Sequence, residues 1–312
     1  MADILNVIIP VFFIIACGYG AAKISLIARE GAKGLNDFVL YFCVPPLLFR
    51  TMQKVDITHS ATGVWSAYYS AAAIIWLIVL IGANRVKGLG DAGGSATAFA
   101  ATFGNLGMMG LSIAYLAYGE EGLIIAALII AVHAASHWFF GTLWSELANR
   151  RRDVNLLKTT GGVLVSLAKN PVVLALAAGA VWNAGGWTMP VIGQRIIDLG
   201  GDAAIPTGLF ALGLAVAAYP LRGNIAGVAT IMALKMAVFP LIAWMLAAFI
   251  FHLPPRETAL VTIFAALPTG MNPYLFAVKE NASVAAVSGA IAAGVILSAA
   301  TIPLVLWLVS AQ

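Results

Sequence analysis

The sequence predicts an all-α polytopic membrane protein. Ten transmembrane helices are expected in a five-plus-five inverted repeat, with two broken helices, the fourth and ninth. Three observations carry this. Hydrophobic residues make up 62% of the 312 and charged residues only 10%, with a mean hydropathy of +0.96, more than a soluble core needs. None of the thirteen carboxylates lies in the middle of an apolar stretch. The two halves of the chain match at a fixed offset.

A bilayer core of about 30 Å takes about 20 apolar residues per helix. Ten stretches qualify: 4–22, 35–51, 60–83, 92–117, 120–146, 170–186, 203–219, 224–251, 257–279 and 283–309. They lack strand-period alternation, so they are read as helices. The amphipathic stretch 187–202 is expected at the interface before the seventh span.

Charge sets the orientation. With the N-terminus outside, the inner loops hold Lys23, Arg29, Lys33, Arg85, Lys87, Arg150, Arg151, Arg152, Lys158, Lys169, Arg222 and Lys279, or 12 of the 17 bases. Both termini then face the outer, periplasmic side of an inner or plasma membrane. The net charge of +4 is a topology signal, and no nucleic-acid partner is expected. The Arg150–Arg152 cluster is expected near anionic lipid headgroups. Ile14-Ile15-Ala16-Cys17 resembles a lipoprotein cleavage box, but Asp3 and no base precede it, so the first span is read as retained. Cys17 and Cys43 sit in different spans and read as small buried hydrophobes, not a disulfide.

Pro10 and Pro171 set the offset at 161 positions. The same shift pairs Gly18 with Gly179, Asp37 with Asp198, Pro45 with Pro206, and Leu48-Phe49 with Leu209-Phe210. It also pairs Leu80-Ile81 with Leu241-Ile242, Thr97-Ala98 with Thr258-Ala259, and Phe103 with Phe264. Matching prolines weigh most, because a span tolerates proline at few places. Five spans per half reverse the direction of the second half, which makes the repeat inverted. Inverted repeats belong to alternating-access carriers.

Both halves then carry a break. The fourth span holds Gly104, Asn105, Gly107, Gly110 and Ser112; the ninth holds Pro268, Thr269, Gly270, Asn272 and Pro273. Glycines and prolines so placed weaken a helix, and the freed N–H groups need partners that hydrocarbon does not offer. A half-helix N-terminus suits an anion. The blander reading is glycine packing and ordinary kinks.

Three further polar positions stand out. Lys235 lies roughly 16 Å into the eighth span, near mid-depth, with no acid at its level. It is read as neutral, bonded to carbonyls at a break, or paired with a substrate anion. Arg50, near the outer end of the second span, either snorkels or meets a carboxylate at the cavity mouth. His133 and His137 share one face of the fifth span, but zinc wants a third ligand and none is evident, so no metal and no cofactor are expected. His133, near mid-depth, is the substrate or proton candidate.

Phe38 to Leu48, Gly104 to Gly110, Lys169-Asn170-Pro171, Phe210 to Leu214, and Ala266 to Gly270 with Pro273 and Ala277 resemble the auxin efflux carrier family, which includes bacterial organic-acid permeases and plant PIN-type carriers. The resemblance runs over nearly the whole chain. It implies a scaffold of residues 1–59 and 170–222 that also forms a homodimer interface. It implies a mobile transport domain of residues 60–146 and 223–312, in which the fourth and ninth spans cross at the site, with a cytoplasmic loop at 147–169. It also implies polar substrate contacts near His133. The family usually has proline where this chain has Ser112, which leaves that half of the crossing less defined. The long hydrophilic loop of some plant carriers is absent.

The expected function is secondary transport of small organic anions, mono- or dicarboxylates such as malonate or malate. The expected substrate contacts are Arg50, Asn105, Gly107, Gly110, Ser112, His133, Lys235, Thr269, Gly270, Asn272 and Pro273, with the lipid bilayer as the other partner. A cation/proton exchanger of similar fold would need intramembrane Asp or Glu. An intramembrane enzyme would need a nucleophile facing a base, and the adjacent Ser136 and His137 do not face each other on a helix. A receptor or scaffold would need neither repeat nor breaks.

Overall fold

A computed structural model of the chain describes residues 2–53, 61–83, 92–148, 161–162, 165, 168–218 and 224–310. Among these, the regular elements are helical, and extended backbone pairs at one isolated bridge. Arg85, Lys87, Arg150, Arg151, Arg152, Lys158 and Arg222, on which much of the expected orientation rests, lie outside the described residues.

The helices are α1 Ala2–Lys23, α2 Arg29–Phe38, α3 Val44–Met52, α4 Ala61–Ala83, α5 Ala92–Thr102, α6 Leu111–Ala148, α7 Pro171–Ala184, α8 Val191–Asp202, α9 Ala204–Ala218, α10 Ile225–Ala233, α11 Phe239–Met245, α12 Pro255–Ala266, α13 Asn272–Glu280 and α14 Val284–Ser310. Wide π turns occupy Val39–Cys43, Leu106–Gly110, Leu234–Val238 and Leu246–Ile250. Two of them have a visible cause. A proline ring crowds the carbonyl four residues earlier, and a wider turn relieves the clash. For Pro45 and Pro46 those carbonyls fall in Val39–Cys43, and for Pro240 the carbonyl falls in Leu234–Val238.

Among the described residues, six stretches are long and apolar enough to cross a bilayer: Ile4–Lys23, Thr62–Gly82, Leu106–Ser145, Val191–Ala218, Ile225–Ile250 and Val284–Ser310, with Pro171–Ala184 a shorter apolar helix. The sequence predicts ten. The difference arises where helices are interrupted. The stretch 92–117 is cut after Thr102 and 257–279 after Ala266, so neither holds an uninterrupted helix of crossing length. Within Leu106–Ser145 the chain turns at Gly119, whose φ of 64° and ψ of −150° fit no helix. The positive φ there is one that glycine adopts without strain.

The chain divides into two compact units. Unit one comprises Met1–Ala61, Leu106–Ala131 and Ala168–Ala218. In it α1 and α9 touch backbone to backbone. A β-carbon on Gly18 would sit 2.1 Å from the Phe210 carbonyl oxygen, and one on Gly213 would sit 2.0 Å from that of Ile15. α7 meets α3 in the same manner, since a β-carbon on Gly179 would lie 2.7 Å from the Phe49 oxygen. The offset of 161 turns the Gly18–Phe210 contact into the Gly179–Phe49 contact with the halves exchanged. Asn170 caps α7 by accepting from Val172 N–H at 2.9 Å, with Pro171 in the first turn where its missing donor costs nothing.

α8 is amphipathic as a helix, with Val191, Ile192, Ile196 and Leu199 exposed. Cys43 is buried, but Cys17 is exposed on α1, which corrects the expectation of two buried thiols. Its spacing on an apolar helix does not say which face meets the core.

Unit two comprises Thr62–Asn105, Val132–Leu167 and Tyr219–Gln312. Its core gathers Phe99, Phe103, Phe276, Ile231, Val287 and Ile291. α14 passes close to α10, where a β-carbon on Gly289 would meet Val228 Cγ2 at 2.6 Å. Asn224 caps α10 by accepting from Gly227 N–H at 3.1 Å.

Candidate functional site

The polar backbone inside unit two concentrates where α5 and α12 end. Pro268 cannot donate to the Phe264 carbonyl, and it disfavours helical backbone at the residue before it. Leu267 accordingly turns to φ −58° and ψ 146°. The chain runs extended through Thr269 and Gly270 and re-enters helix at Asn272, with Pro273 in the first turn of α13. On the other side α5 stops at Thr102, and Phe103 N–H makes a last helical bond to Phe99 at 2.8 Å.

The two extended segments pair antiparallel. Asn105 N–H donates to the Pro268 carbonyl at 2.9 Å, and Gly270 N–H donates to that of Phe103 at 3.0 Å, flanking the Gly104–Thr269 bridge. The Thr269 hydroxyl donates to the Ala100 carbonyl at 3.0 Å, which meets an acceptor orphaned at the end of α5. Gly270 is needed for the approach, since a β-carbon would fall 3.0 Å from the Phe103 ring and 3.1 Å from the Gly104 oxygen. Trp76 Nε1–H donates to the Thr102 hydroxyl at 3.0 Å, and that hydroxyl donates to Ala98 at 2.7 Å, so the end of α5 is tied to α4.

Of the residues expected at the site, Asn105, Thr269 and Gly270 come together here, all buried. Asn272 is half-buried and Pro273 buried at the start of α13. The Asn105 side-chain amide is not bonded to any of the described residues.

His133 packs beside this pairing. Its ring stacks on Phe103 at 4.3 Å between centroids and meets the edge of Tyr68 at 5.7 Å. Neither imidazole nitrogen has a hydrogen-bond partner among the described residues. The Tyr68 hydroxyl and His137 Nε2 are likewise buried without partners. Such groups are where water or a ligand completes the bonding. His137 is anchored instead, with Nδ1 2.8 Å from the His133 carbonyl. Lys235 is fully buried, donates to the Ala265 carbonyl at 2.5 Å and lies 4.8 Å over the Phe239 ring.

The other expected residues belong to unit one. Gly107 and Gly110 lie in the turn Leu106–Gly110, which packs on α9 near Gly208. Ser112 Oγ donates to the Met108 carbonyl at 2.7 Å. Side-chain bonding to the carbonyl four residues back bends helices, so Ser112 does part of what a proline would. Arg50 donates to Asp202 at 2.8 Å and to Asp198 at 3.2 Å, and Gln194 donates to Asp198 at 2.9 Å. An incoming carboxylate would compete with both aspartates. Asp202 is 69% exposed, so a double-mutant cycle of Arg50→Ala with Asp202→Ala, read by thermal unfolding, should give a coupling of at most about 1 kcal/mol.

Sequence reasoning missed Tyr68, Trp76, Thr102 and Phe103. The ring residues read as apolar filler in a span, and only Thr102, two residues before Gly104-Asn105, carried a local signal. A cavity of about 870 Å³, lined by Tyr69, Trp76, His137, Phe140 and Trp144 among others, lies between α4 and the second part of α6. Its walls are almost wholly apolar, so it offers an anion little.

A family model described as membrane transport protein matches residues 3–306. The chain belongs to this family. The resemblance to auxin efflux carriers agrees with it, and this membrane transport protein is therefore a multi-pass membrane transporter. It is 26% identical over 315 residues to a Rhizobium meliloti protein named "Putative malonate transporter", covering 99% of this chain and 97% of that one. It is 24% identical to the uncharacterized transporter YfdV of Escherichia coli and 22% identical to an uncharacterized transporter of Methanothermobacter thermautotrophicus, covering 95% of each chain.

Proposed function

We propose that this membrane transport protein is a secondary carrier of small organic anions, mono- or dicarboxylates such as malonate or malate, working by alternating access. The observation that carries the reading is the paired break in unit two. It sets the unbonded Asn105 amide beside residues 269–270, which lead directly into the N-terminus of α13. Amide donors with the positive end of a helix dipole suit a carboxylate. Thr269, Gly270, Asn272 and Pro273 shape that end, and His133 is the titratable group nearest the pairing.

The inverted repeat is part of the proposal. It is supported by the exchanged glycine contacts Gly18–Phe210 and Gly179–Phe49, which an internal two-fold relation would produce. In this reading residues 60–146 and 223–312 move as a transport domain against a scaffold that also pairs two copies of the chain. Lys235 supplies positive charge inside the membrane, and no acid lies mid-span to serve a cation exchanger.

Purified protein in proteoliposomes tests the reading. Radiolabelled malonate or another small dicarboxylate should accumulate in sodium-free buffer when an anion gradient or membrane potential drives it. The same anion should raise the unfolding temperature of detergent-solubilised protein by mass action. Silence of a panel of mono- and dicarboxylates in both measurements would overturn the assignment.

A further inference from the structure

We propose that the break after α12 contains a site for a monovalent cation, and that the chain fills it with the tethered ammonium of Lys235. The site begins with the chemistry of a helix end. The last carbonyls of a helix lack amide donors and carry the negative end of its dipole. At the end of α12 this deficit is deepened, because Pro268 has no N–H to return to Phe264 and Thr269 is drawn into the pairing with Gly104. The exposed acceptors would ordinarily be met by water, or in a carrier by a coupling ion.

Here Lys235 Nζ sits 2.5 Å from the Ala265 oxygen, in the last turn of α12. The ammonium is fully buried and lies over the Phe239 ring at 4.8 Å, a face that favours a cation. No carboxylate pairs with it among the described residues. Its counter-charge is the helix end itself. The π turn Leu234–Val238 sets its position, and the neighbouring Met236 and Pro268 both pack against Gly294 of α14. The Lys235 amine is thus enclosed with a helix-end carbonyl and an aromatic face as its polar surroundings.

The inference rests on the carrier reading for its functional consequence. A carrier with a built-in cation at its break needs no free sodium to assemble the site, and the charge travels with the protein instead of with the substrate. Lys235 is then a positioning residue, which holds the break together through α12.

The test uses full-length Lys235→Ala and Lys235→Gln beside wild type. The first readout is the unfolding temperature without any organic anion, in chloride salts of ammonium, methylammonium, sodium and choline at one ionic strength. Wild type should be indifferent to the cation. Lys235→Ala should be destabilised in choline and recover several degrees, saturably, with ammonium, methylammonium or sodium. Lys235→Gln keeps a donor for Ala265 without the charge, and should stay destabilised in all four. The second readout is malonate uptake, which should fall about tenfold or more in Lys235→Ala, the scale of losing a hydrogen bond from a charged group, and recover with the same salts.

If Lys235→Gln matches wild type in stability and uptake, a neutral donor suffices and the cation site is refuted. A folded Lys235→Ala whose stability no small cation moves refutes it equally. Should Lys235→Ala not fold, Lys235→Gln decides alone. Because the thermal readout contains no substrate, failure of wild type to transport malonate would sink the carrier reading and leave the cation result standing.

Discussion

Replacing Gly213 by valine should leave almost no folded protein. A β-carbon at this position would lie 2.0 Å from the Ile15 carbonyl oxygen and 2.7 Å from the Tyr19 nitrogen, both backbone atoms of α1. No rotamer relieves such a clash, so α1 and α9 must move apart. Overpacking costs about 1–3 kcal/mol when side chains can give way, and more when they cannot. In a bilayer the loss is compounded, because helices associate through close packing and not through exclusion of water. The monodisperse peak on detergent size-exclusion chromatography should therefore vanish. Gly18→Val and Gly179→Val should behave alike, since each faces a backbone oxygen at 2.1 and 2.7 Å. Gly20→Ala, with nothing within 4 Å, should keep the wild-type peak. A normal peak for Gly213→Val would mean that α1 and α9 do not touch in the membrane.

Asn105→Ala should weaken carboxylate binding about ten- to a hundredfold, as expected for removing a buried hydrogen bond to a charged group worth about 1.5–3 kcal/mol. The fold should persist. The structural bond of Asn105 is made by its backbone N–H to Pro268, which alanine keeps. Titration of malonate by thermal shift, with initial uptake rates beside it, separates the two effects. If the variant binds and transports like wild type, the paired break is structural only and the anion must be sought elsewhere.

The membrane character and the helical class were legible because hydropathy is a sum over many residues, and no single error changes it. The places where backbone leaves the helix were legible as well, because Pro268 and Gly104 act locally through a missing N–H and a missing side chain. The partners of those places were not. Nothing in Thr269 announces the Ala100 carbonyl, and nothing in Lys235 announces Ala265, since each pairing depends on how helices cross. The same limit applies to Arg50, whose aspartates lie 148 and 152 residues away. The six long apolar stretches among the described residues leave out the two interrupted ones that the sequence marked as broken.

The bonds between the two breaks have a consequence for biogenesis. Ala100 accepts from Thr269 across 169 positions of sequence, and Asn105 N–H waits for Pro268. A ribosome releases the first segment long before the second, so the nascent N-terminal half enters the membrane with these backbone groups unmet. Until the last third of the chain arrives, that half must stay hydrated or be sheltered by the insertion machinery. A chain that terminates before residue 268 should accordingly be a poor membrane resident and a ready substrate for quality-control proteases, although several of its helices are hydrophobic enough to insert alone.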